Sequence, residues 1–586
     1  MLKLLRYIKL KEWLFFALSL VFICAQVFLD LKLPDYMSKI TTLVETGGSV
    51  DAVWDAGGMM LLCSLGSLVA SVIVTLLAAK IAAGFSRRLR GAMFERVEAF
   101  TLEEINAFST ASLITRSTND VGQVQMLIVM SMQVLVKAPI MAVWGIMKIS
   151  GKAWQWSLAT GIAVVLLSVL LGIIMKITFP RFRKIQWLQD ALNHAARENL
   201  NGIRVVHAYN AEEYQVNKFE KANTDLLENS LYVNRITTMM SPFMSLIMNC
   251  LSMSIYWIGA VLINSVAPGA ADAAGIRVGI FSDMIVFMSY AMQIIGAFIM
   301  IIIVIMIAPR ALVAAGRINE VLETEPKVLD GEITADTEEK GEVEFKNVSF
   351  TYPGGSGSAL ENISFTAKKG ETVAIIGSTG AGKSTLVNLI PRFYDVTEGE
   401  VLVDGHNVKE YQLEELYKKI SYISQNAVMF SGTVRSNVLF GATAEEDRLE
   451  SALRISMAEE FVNELENGAD SEMAQRGTNF SGGQKQRISI ARALSRDAEI
   501  IIFDDTFSAL DFKTDRALRD ALKTETEGIT KIVVAQRIGT IMGADRIIVL
   551  DEGKQVGTGT HGELLKSCEV YRQIALSQLS EEELAI

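Results

Sequence analysis

The chain has 586 residues, too many for one ordinary domain, and half of them are hydrophobic, with a mean hydropathy of +0.30. That composition is unusual for a soluble enzyme of this length, and the formal net charge of -11 argues against nucleic acid as a partner. The four cysteines show no C-x-x-C pattern and the four histidines no ligand spacing, which argues against a disulfide framework and against structural zinc.

The N-terminal half contains six hydrophobic runs that are long enough to cross a bilayer. They are Leu14–Leu29, Met59–Ala79, Val124–Met147, Trp156–Met175, Met239–Val266 and Phe281–Ala308. The basic, amphipathic stretch Met1–Leu14 is typical of a helix that lies along a membrane surface. Because the first run lacks a small-residue cleavage pattern, a retained membrane helix is favoured over a signal peptide.

The charge of the connections predicts the orientation of these spans. The short connections Glu45–Ala56 and Gly151–Gln155 carry one basic residue, Lys152, whereas the long connections are rich in arginine, as in Arg87–Arg96 and Arg181–Arg204. By the positive-inside rule, the long connections and both termini are predicted to be cytoplasmic. The chain is therefore expected to be a multi-pass protein of the plasma or inner membrane.

Helical periodicity continues past the membrane boundary, through Arg87–Glu104 and through Arg181–Tyr214. The helices are therefore predicted to project into the cytoplasm and return. Turn-containing stretches near residues 104–121 and 202–214 could form short coupling helices that dock on a cytoplasmic domain. Ordinary solvated hairpins explain the same periodicity, and the two interpretations stay open here.

The third run contains Lys137, close to Gln133, and an intramembrane lysine faces either a partner or a watery cavity. A structural pair with an acidic residue on another helix is favoured over a contact with substrate. Asp283 and Gln293 in the last span, and Gln26 and Asp30 in the first, raise the same two alternatives.

The composition changes after the sixth run. Residues Thr324–Gly341 are charged and punctuated by proline and glycine, which predicts a linker. From Glu342 to the C-terminus, short β-branched strands alternate with helices, which predicts an α/β domain. The expected fold is a six-helix, all-α transmembrane domain (residues 1–323) with long cytoplasmic extensions, followed by an α/β phosphate-loop domain (residues 342–586).

The α/β domain contains a phosphate-binding motif, G-x-x-x-x-G-K-[ST]. Its residues are Gly377, Ser378, Thr379, Gly380, Ala381, Gly382, Lys383 and Ser384. A predicted strand, Thr372–Ile376, precedes the motif and a predicted helix, Ser384–Ile390, follows it, which disfavours a chance glycine-rich turn. Backbone N–H groups would surround phosphate oxygens, Lys383 would reach the β- and γ-phosphates, and Ser384 would hold Mg²⁺. With the adjacent Thr385, these residues predict a site for ATP and Mg²⁺.

Further motifs surround this loop in the sequence. They comprise Tyr352 in Thr351–Pro353, Gln425 after the strand Ile420–Ser424, the run Phe480, Ser481, Gly482, Gly483 and Gln484, the pair Asp504 and Asp505 after the strand Ile500–Phe503, Asp511 in Ser508–Asp511, and Gln536 in Val533–Arg537. The ring of Tyr352 could stack on adenine, and Asp504 could hold Mg²⁺. Ser481 opens a predicted helix whose N-terminus suits a γ-phosphate.

The motif set resembles that of the ATP-binding cassette (ABC) family, and six spans followed by one cassette resemble a half-transporter of the exporter type. The resemblance implies that Phe480–Gln484 completes an ATP site on an opposite cassette, so that the chain pairs with a second one. It also implies that Gln425 senses the γ-phosphate and Mg²⁺, that Gln425 links to the coupling helices, and that Asp511 belongs to the nucleotide-contacting set.

Two positions depart from the family pattern. Asp505 stands where the family usually has a glutamate that acts on the attacking water, and Gln536 replaces the switch histidine. Loss of one methylene retracts a carboxylate by about 1.5 Å, and misplacement of about 1 Å can cost a hundredfold in rate. A glutamine donates hydrogen bonds but cannot become a cation. Phe480 also stands where leucine is common.

These departures resemble the degenerate-site subunit of bacterial heterodimeric multidrug exporters. The expected function is ATP-driven export of amphiphilic small molecules or lipids. Hydrolysis would occur mainly at the partner's site, which is completed by Phe480–Gln484 of this chain, the signature residues. A homodimeric lipid or drug flippase with slow turnover is the alternative within the family. An ATP-gated channel or sensor is an alternative of another class.

Overall fold

The computed structural model of the chain describes residues 2–150, 153–267, 273–334, 340–442, 446–580 and 584. Lys152 in the second short connection, and residues 335–339 of the predicted linker, lie outside the described residues. The chain forms two compact units, one of Met1–Arg96 with Ala111–Glu323 and the other of Val97–Thr110 with Thr324–Ile586. The segment Val97–Thr110, which the sequence places within residues 1–323, thus belongs to the same compact unit as the cassette.

The N-terminal half is helical throughout its described residues, apart from short turns. The helices are α1 (Leu10–Glu45), α2 (Val50–Glu98), α3 (Leu102–Phe108), α4 (Thr110–Ile149), α5 (Trp154–Asn201), α6 (Ile203–Ala208), α7 (Glu212–Asn264) and α8 (Ala273–Glu323). Within the described residues, six of them (α1, α2, α4, α5, α7 and α8) are long and apolar enough to span a membrane, which confirms the predicted number. At 36 to 53 residues, each exceeds the roughly 20 that a bilayer requires.

Helix α4 is irregular at two places, where the backbone takes up wider π-type turns. They cover Arg116–Asp120 and Ser131–Leu135, and in the second the N–H of Val136 donates to the carbonyl of Ser131. Pro139 follows within one turn and lacks the N–H that would bond to Leu135. Lys137 begins the regular helical segment that follows the second turn.

The core of the membrane unit lies where α1, α5, α7 and α8 meet. The side chains of Trp156, Phe287 and Tyr290 are almost completely buried there, and the indole N–H of Trp156 donates to the carbonyl of Ile255 at 3.1 Å. A Cβ atom added to Gly259 of α7 would lie 2.4 Å from the sulfur of Met284 on α8. The missing side chain therefore allows these two helices to pack closely, as small residues do in membranes.

The cassette is an α/β domain, as predicted. Its strands are β1 (Val343–Phe350), β2 (Leu360–Ala367), β3 (Thr372–Gly377), β4 (Glu398–Val403), β5 (His406–Asn407), β6 (Ile420–Ile423), β7 (Gly432–Thr433), β8 (Glu472–Met473), β9 (Ile500–Asp504), β10 (Thr530–Val534), β11 (Arg546–Asp551) and β12 (Lys554–Gly559). Its helices are α9 (Lys383–Asn388), α10 (Leu413–Lys419), α11 (Val434–Val438), α12 (Glu446–Ile455), α13 (Glu459–Asn463), α14 (Gly482–Leu494), α15 (Phe512–Glu525), α16 (Ile538–Ile541), α17 (His561–Ser567) and α18 (Glu569–Leu576).

Ten of these strands form one sheet in the order β5-β4-β1-β2-β12-β11-β3-β10-β9-β6. From β11 to β6 every neighbouring pair is parallel, whereas the pairs β4–β5, β1–β4 and β1–β2 are antiparallel. Both faces of the parallel part are covered. Along β9, Ile500 and Ile502 join one hydrophobic cluster and Ile501 and Phe503 another. This double burial explains why the sequence shows a continuous apolar run there.

Element boundaries differ slightly from the predicted ones. Helix α9 begins at Lys383 and ends at Asn388, ahead of Pro391, which lacks the N–H needed to continue the helical hydrogen bonding. The strand before Gln425 ends at Ile423, and helix α14 begins at Gly482 with Ser481 as its N-cap residue.

Candidate nucleotide site

The topology of the sheet brings the predicted site residues together. The parallel strands β3, β10, β9 and β6 are consecutive neighbours, so their carboxyl ends meet at one edge. The phosphate loop (Gly377–Ser384) follows β3, Gln536 follows β10, Asp504 and Asp505 end β9, and Gln425 follows β6. Motifs that are far apart in sequence therefore share one crevice.

The backbone of the phosphate loop requires glycine at defined positions. Gly382 has a φ of +92°, which other residues rarely adopt, and a Cβ atom at Gly377 would lie 2.1 Å from the carbonyl oxygen of Leu550. Among the described residues, no side chain caps the N-terminus of α9, which begins directly after Gly382. The first-turn N–H groups of α9 and the positive end of its dipole therefore suit a phosphate.

Lys383 lies across the phosphate loop. Its ammonium group donates to the carbonyl oxygens of Gly377 at 2.9 Å and Ser378 at 2.8 Å, and the residue is 9% exposed. Burial lowers the pKa of Lys383 below its ordinary value, although Asp505 and Asp504 oppose the shift. A buried ammonium that is held by neutral carbonyls can donate a hydrogen bond to a phosphate and balance its negative charge.

Asp504 is held on both of its carboxylate oxygens. Oδ1 accepts a hydrogen bond from Ser384 at 2.8 Å, and Oδ2 lies 3.1 Å from the hydroxyl of Tyr422. Burial raises the pKa of Asp504 above its ordinary value, against the lowering effect of these hydrogen bonds. A hydroxyl beside a buried carboxylate supplies the hard oxygen ligands that Mg²⁺ prefers, so Ser384 and Asp504 fit the predicted metal.

Asp505 is bound by both glutamines of the predicted site. Its Oδ2 accepts from Nε2 of Gln425 at 3.0 Å and from Nε2 of Gln536 at 2.7 Å. The residue is 7% exposed and its backbone lies in the left-handed region, at φ 49° and ψ 31°. The two departures from the family pattern are therefore in direct contact.

Tyr352 lies beside the first turn of α9. Its hydroxyl is 2.9 Å from Oγ1 of Thr385, and its ring packs edge-on against Phe350 and Tyr394 at centroid distances of 4.8 and 5.4 Å. The residue is 37% exposed. A partly exposed aromatic ring thus flanks the phosphate loop, where an adenine-stacking residue is expected.

The signature residues do not join this cluster. Ser481 caps α14 by accepting from the N–H of Gln484 at 3.3 Å, and the side chain of Gln484 accepts from the N–H of Ser481 at 2.9 Å. Phe480 is buried in a separate hydrophobic cluster with Met429 and Ile488. In the described part of the chain, no hydrogen bond links Ser481–Gln484 to the phosphate loop. Gly482 and Gly483 form the first turn of α14.

Asp511, the last of the predicted nucleotide-contacting residues, caps another helix. Its carboxylate accepts from the N–H of Thr514 at 2.9 Å at the start of α15. The exposed Asp511 thus has a structural role within the chain itself.

Tyr422 and Asn388 also lie at this site and were not predicted from the sequence. The hydroxyl of Tyr422 lies 3.0 Å from Oδ1 of Asn388 and contacts Asp504, and burial raises its pKa well above the ordinary value. The available signal was a tyrosine inside an apolar strand, three residues before Gln425. Alternation along β6 places its side chain on the opposite face from Ser421 and Ile423.

In the membrane unit, polar groups of α1 pair with groups on neighbouring helices, and we call them the polar seam: Asp30 with Lys137 and Ser67, Asp35 with Lys148 and Tyr290, and Ser38 with Ser282. Lys137 lies 3.2 Å from the Asp30 carboxylate, which is the structural pair that the sequence favours. Gln133 donates to Thr75 at 3.2 Å, Gln26 is buried, and Asp283 is partly buried on α8.

Comparison with known proteins agrees with this architecture. Residues 16–298 match the ABC transporter transmembrane region and residues 360–508 match the ABC transporter family. An uncharacterized ABC transporter ATP-binding protein of Mycobacterium tuberculosis strain H37Rv is 41% identical over 89% of this chain and 87% of its own. An ATP-dependent lipid A-core flippase of Escherichia coli strain K12 is 31% identical over 89% of this chain and 88% of its own.

A solved structure of a bacterial Atm1-family ABC exporter with ATP bound matches 98% of this chain and 99% of its own, with a TM-score of 0.80 at 22% identity. That likeness confirms the predicted fold, a six-helix transmembrane domain followed by an α/β cassette. The relatives at higher identity cover nearly the whole chain. The chain therefore belongs to the ABC transporter family, as a multi-pass membrane protein that binds ATP and hydrolyses it for transport.

Proposed function

We propose that the chain is one half of a heterodimeric ABC exporter and that its own phosphate loop binds ATP with Mg²⁺ but hydrolyses it slowly. The observation that carries this proposal is the arrangement at Asp505. Its carboxylate, shorter than glutamate, accepts two hydrogen bonds on one oxygen, from Gln425 and Gln536.

The geometry at Asp505 is poor for a general base. A general base must lie within hydrogen-bond reach of the attacking water. The side chain of Asp505 is one methylene shorter than that of glutamate, and its Oδ2 ends on the amides of Gln425 and Gln536 instead. Gln536 can neither gain a proton nor present a positive charge to a transferring phosphate.

The binding half of the site has the groups that ATP requires. Lys383 and the N–H groups after Gly382 would receive the phosphates, and Tyr352 would stack on the adenine. Ser384 and Asp504 would hold Mg²⁺, which when bound neutralises charge on the β- and γ-phosphates. A site that binds but scarcely hydrolyses would hold two cassettes together without resetting them.

The signature residues supply the second part of the proposal. Ser481 and Gln484 fix the N-terminus of α14 through reciprocal hydrogen bonds, without contact to their own phosphate loop in the described chain. We assign them to the nucleotide of a partner cassette that has its own catalytic glutamate and switch histidine. Hydrolysis at that composite site would reset the transporter.

Helix α3 provides the coupling element on this chain. Its Asn106 donates to the hydroxyl of Tyr394 at 3.4 Å, and Glu104 accepts from the N–H of Lys327 at 3.2 Å. Because the long α2 and α4 flank α3, closure of the cassettes would be transmitted to the spans. Together with α6 at the second tip, this arrangement supports alternating access with the cassette in the cytoplasm.

The substrate proposed is an amphiphilic small molecule or a lipid. Six spans with an apolar surface suit such a molecule, and relatives named as lipid A-core flippases indicate amphiphile handling within the family. Because the polar seam satisfies its own charges, we assign it to helix pairing rather than to substrate.

The decisive experiment compares the chain alone with the chain and its partner. We expect the purified chain to bind ATP but to show very low ATPase activity, and co-expression with a half-transporter that has the glutamate and histidine to restore rapid hydrolysis. Vigorous ATPase activity of the lone chain would contradict the heterodimer.

That result would favour a second candidate, a homodimeric flippase; relatives named as lipid A-core flippases, at 31 to 32% identity, support the flippase activity. Transport in inside-out vesicles separates both from an ATP-gated channel. ATP-dependent accumulation of a fluorescent amphiphile indicates an exporter, whereas passive ATP-gated conductance indicates a channel.

A further inference from the structure

Tyr422 stands out because it touches the predicted metal-binding carboxylate without belonging to any motif. Its hydroxyl oxygen lies 3.1 Å from Oδ2 of Asp504 and 3.0 Å from Oδ1 of Asn388. A phenol carries one hydrogen, so it donates to one of the two. The carboxylate is the stronger acceptor, and Asn388 can then turn its amide N–H toward the phenol oxygen.

Hydrogen bonds hold both carboxylate oxygens of Asp504. Ser384 and Asn388 are four residues apart on α9, so both side chains lie on the same face of that helix. Ser384 donates directly to Oδ1, and Asn388 acts on Oδ2 through the hydroxyl of Tyr422. The orientation of the carboxylate is therefore fixed at both ends relative to the phosphate loop.

We propose that Tyr422 is a positioning residue for Mg²⁺ in this chain's ATP site, because its hydroxyl engages one oxygen of Asp504 and leaves the other to face Ser384 and the metal. The inference rests on the proposed function in one respect, that the loop binds ATP with Mg²⁺. Mg²⁺ demands nearly ideal octahedral geometry, so a carboxylate free to rotate or to bind through both oxygens would hold it less well.

The ring of Tyr422 has a separate, structural role. It packs against the main cluster on one face of the sheet and meets Phe393 edge-on at 5.5 Å. Tyr422→Phe keeps this packing and removes only the hydroxyl. Tyr411→Phe is a matched control, since Tyr411 is fully buried in the same domain and its hydroxyl donates to the carbonyl of Val403 at 2.9 Å.

The test measures binding of a fluorescent ATP analogue to the full-length chain, first in EDTA and then during titration with MgCl₂. We expect Y422F to bind the analogue like the wild type in EDTA, and to need about tenfold more Mg²⁺ for half of the metal-dependent gain in affinity. Y411F should leave that Mg²⁺ concentration unchanged.

An unchanged Mg²⁺ requirement in Y422F, or an equal shift in Y411F, would show that the hydroxyl is structural and would overturn the proposal. Wild-type binding that is indifferent to Mg²⁺ would overturn it together with the metal role of Asp504. The heterodimer is decided separately by the ATPase activity of the lone chain, which this binding assay does not measure.

Discussion

The nucleotide site and the polar seam use their buried polar groups in opposite ways. At the nucleotide site, Lys383 and the uncapped N-terminus of α9 retain hydrogen-bonding capacity toward an anion. In the membrane unit, the charged groups of the polar seam are paired with each other, as with Asp30 and Lys137. The nucleotide site is arranged to receive a ligand, whereas the charges of the polar seam satisfy one another.

This difference follows from the surroundings of each unit. At the nucleotide site, the uncapped N–H groups of α9 can bond to water until phosphate replaces it, so they need no partner from the protein. In the bilayer an unpaired charge costs several kcal/mol, so a lysine is retained only beside an acidic partner. Lys383 therefore indicates a ligand site, and Lys137 a contact between helices. The predictions below test that contrast.

The largest effect is expected from Lys383→Met. Removing the charged partner of a bound phosphate should cost about 2–5 kcal/mol of binding free energy, or roughly 30-fold to several-thousandfold in ATP affinity. Lys531→Met is the control, because Lys531 is also buried in the cassette and donates to two carbonyls, of Thr526 and Ile529. Fluorescent-ATP titration should show a loss in K383M alone, and equal losses in both variants would contradict the assignment.

The next effect concerns hydrolysis, where the cassette is expected to be held back. Asp505→Glu combined with Gln536→His should raise ATP turnover by this chain about tenfold or more, because the base regains its reach and the switch can become charged. Gln536→His alone is the comparison, since it frees Asp505 from one amide but leaves the side chain short. Steady-state phosphate release measures the effect. A double variant as slow as the wild type would show that another feature limits this site.

The sequence predicted the local features of both units and missed the pairings between distant segments. The phosphate loop is contiguous in sequence, and each span is a continuous apolar run. Both can therefore be recognised without knowledge of the tertiary structure. The contact of Asp505 with Gln425 and Gln536 depends on the order of β3, β10, β9 and β6, which no local pattern specifies.

Pairing in the membrane was predictable only in kind. The cost of an intramembrane lysine favours an acidic partner for Lys137. Asp30 and Asp283 both lie in predicted spans, and only helix packing selects Asp30. Tyr422 escaped notice for a related reason. In an apolar strand a tyrosine resembles a core residue. The contact of its hydroxyl with Asp504 can be recognised only once β6 is known to lie beside β9.

A moderate effect is expected when the polar seam is broken. Lys137→Met leaves Asp30 with Ser67 as its remaining partner and should destabilise the membrane unit by about 2 kcal/mol, which is roughly 5 °C in the unfolding midpoint. Lys137→Met with Asp30→Asn removes both charges and should recover most of the loss. Thermal unfolding in detergent measures it. If transport of the fluorescent amphiphile failed in the double variant while stability recovered, the pair would be a substrate contact instead.

The smallest effect is a pH dependence at α3. There the carboxylate of Glu104 is satisfied by donors of its own unit, as the charges of the polar seam are. Burial alone would raise the pKa of Glu104, but hydrogen bonds from the hydroxyl and N–H of Thr101 and the N–H of Lys327 outweigh it, so the pKa lies below its ordinary 4.5. A carboxyl group with a lowered pKa stabilises the fold above its ordinary pKa, and this contribution is lost as the pH falls through the lowered value.

Between about pH 6 and about pH 4, amide hydrogen exchange within Thr101–Phe108, corrected for intrinsic rates, should therefore accelerate, by the equivalent of about 1 kcal/mol at most. Glu104→Gln should exchange faster at about pH 6 and lose this pH dependence, whereas Glu563→Gln, at the equivalent capping position of α17, should leave α3 unaffected. If the pH dependence at α3 persisted in the Glu104→Gln variant, it would have to arise from another acidic group, such as Glu103 beside Lys327.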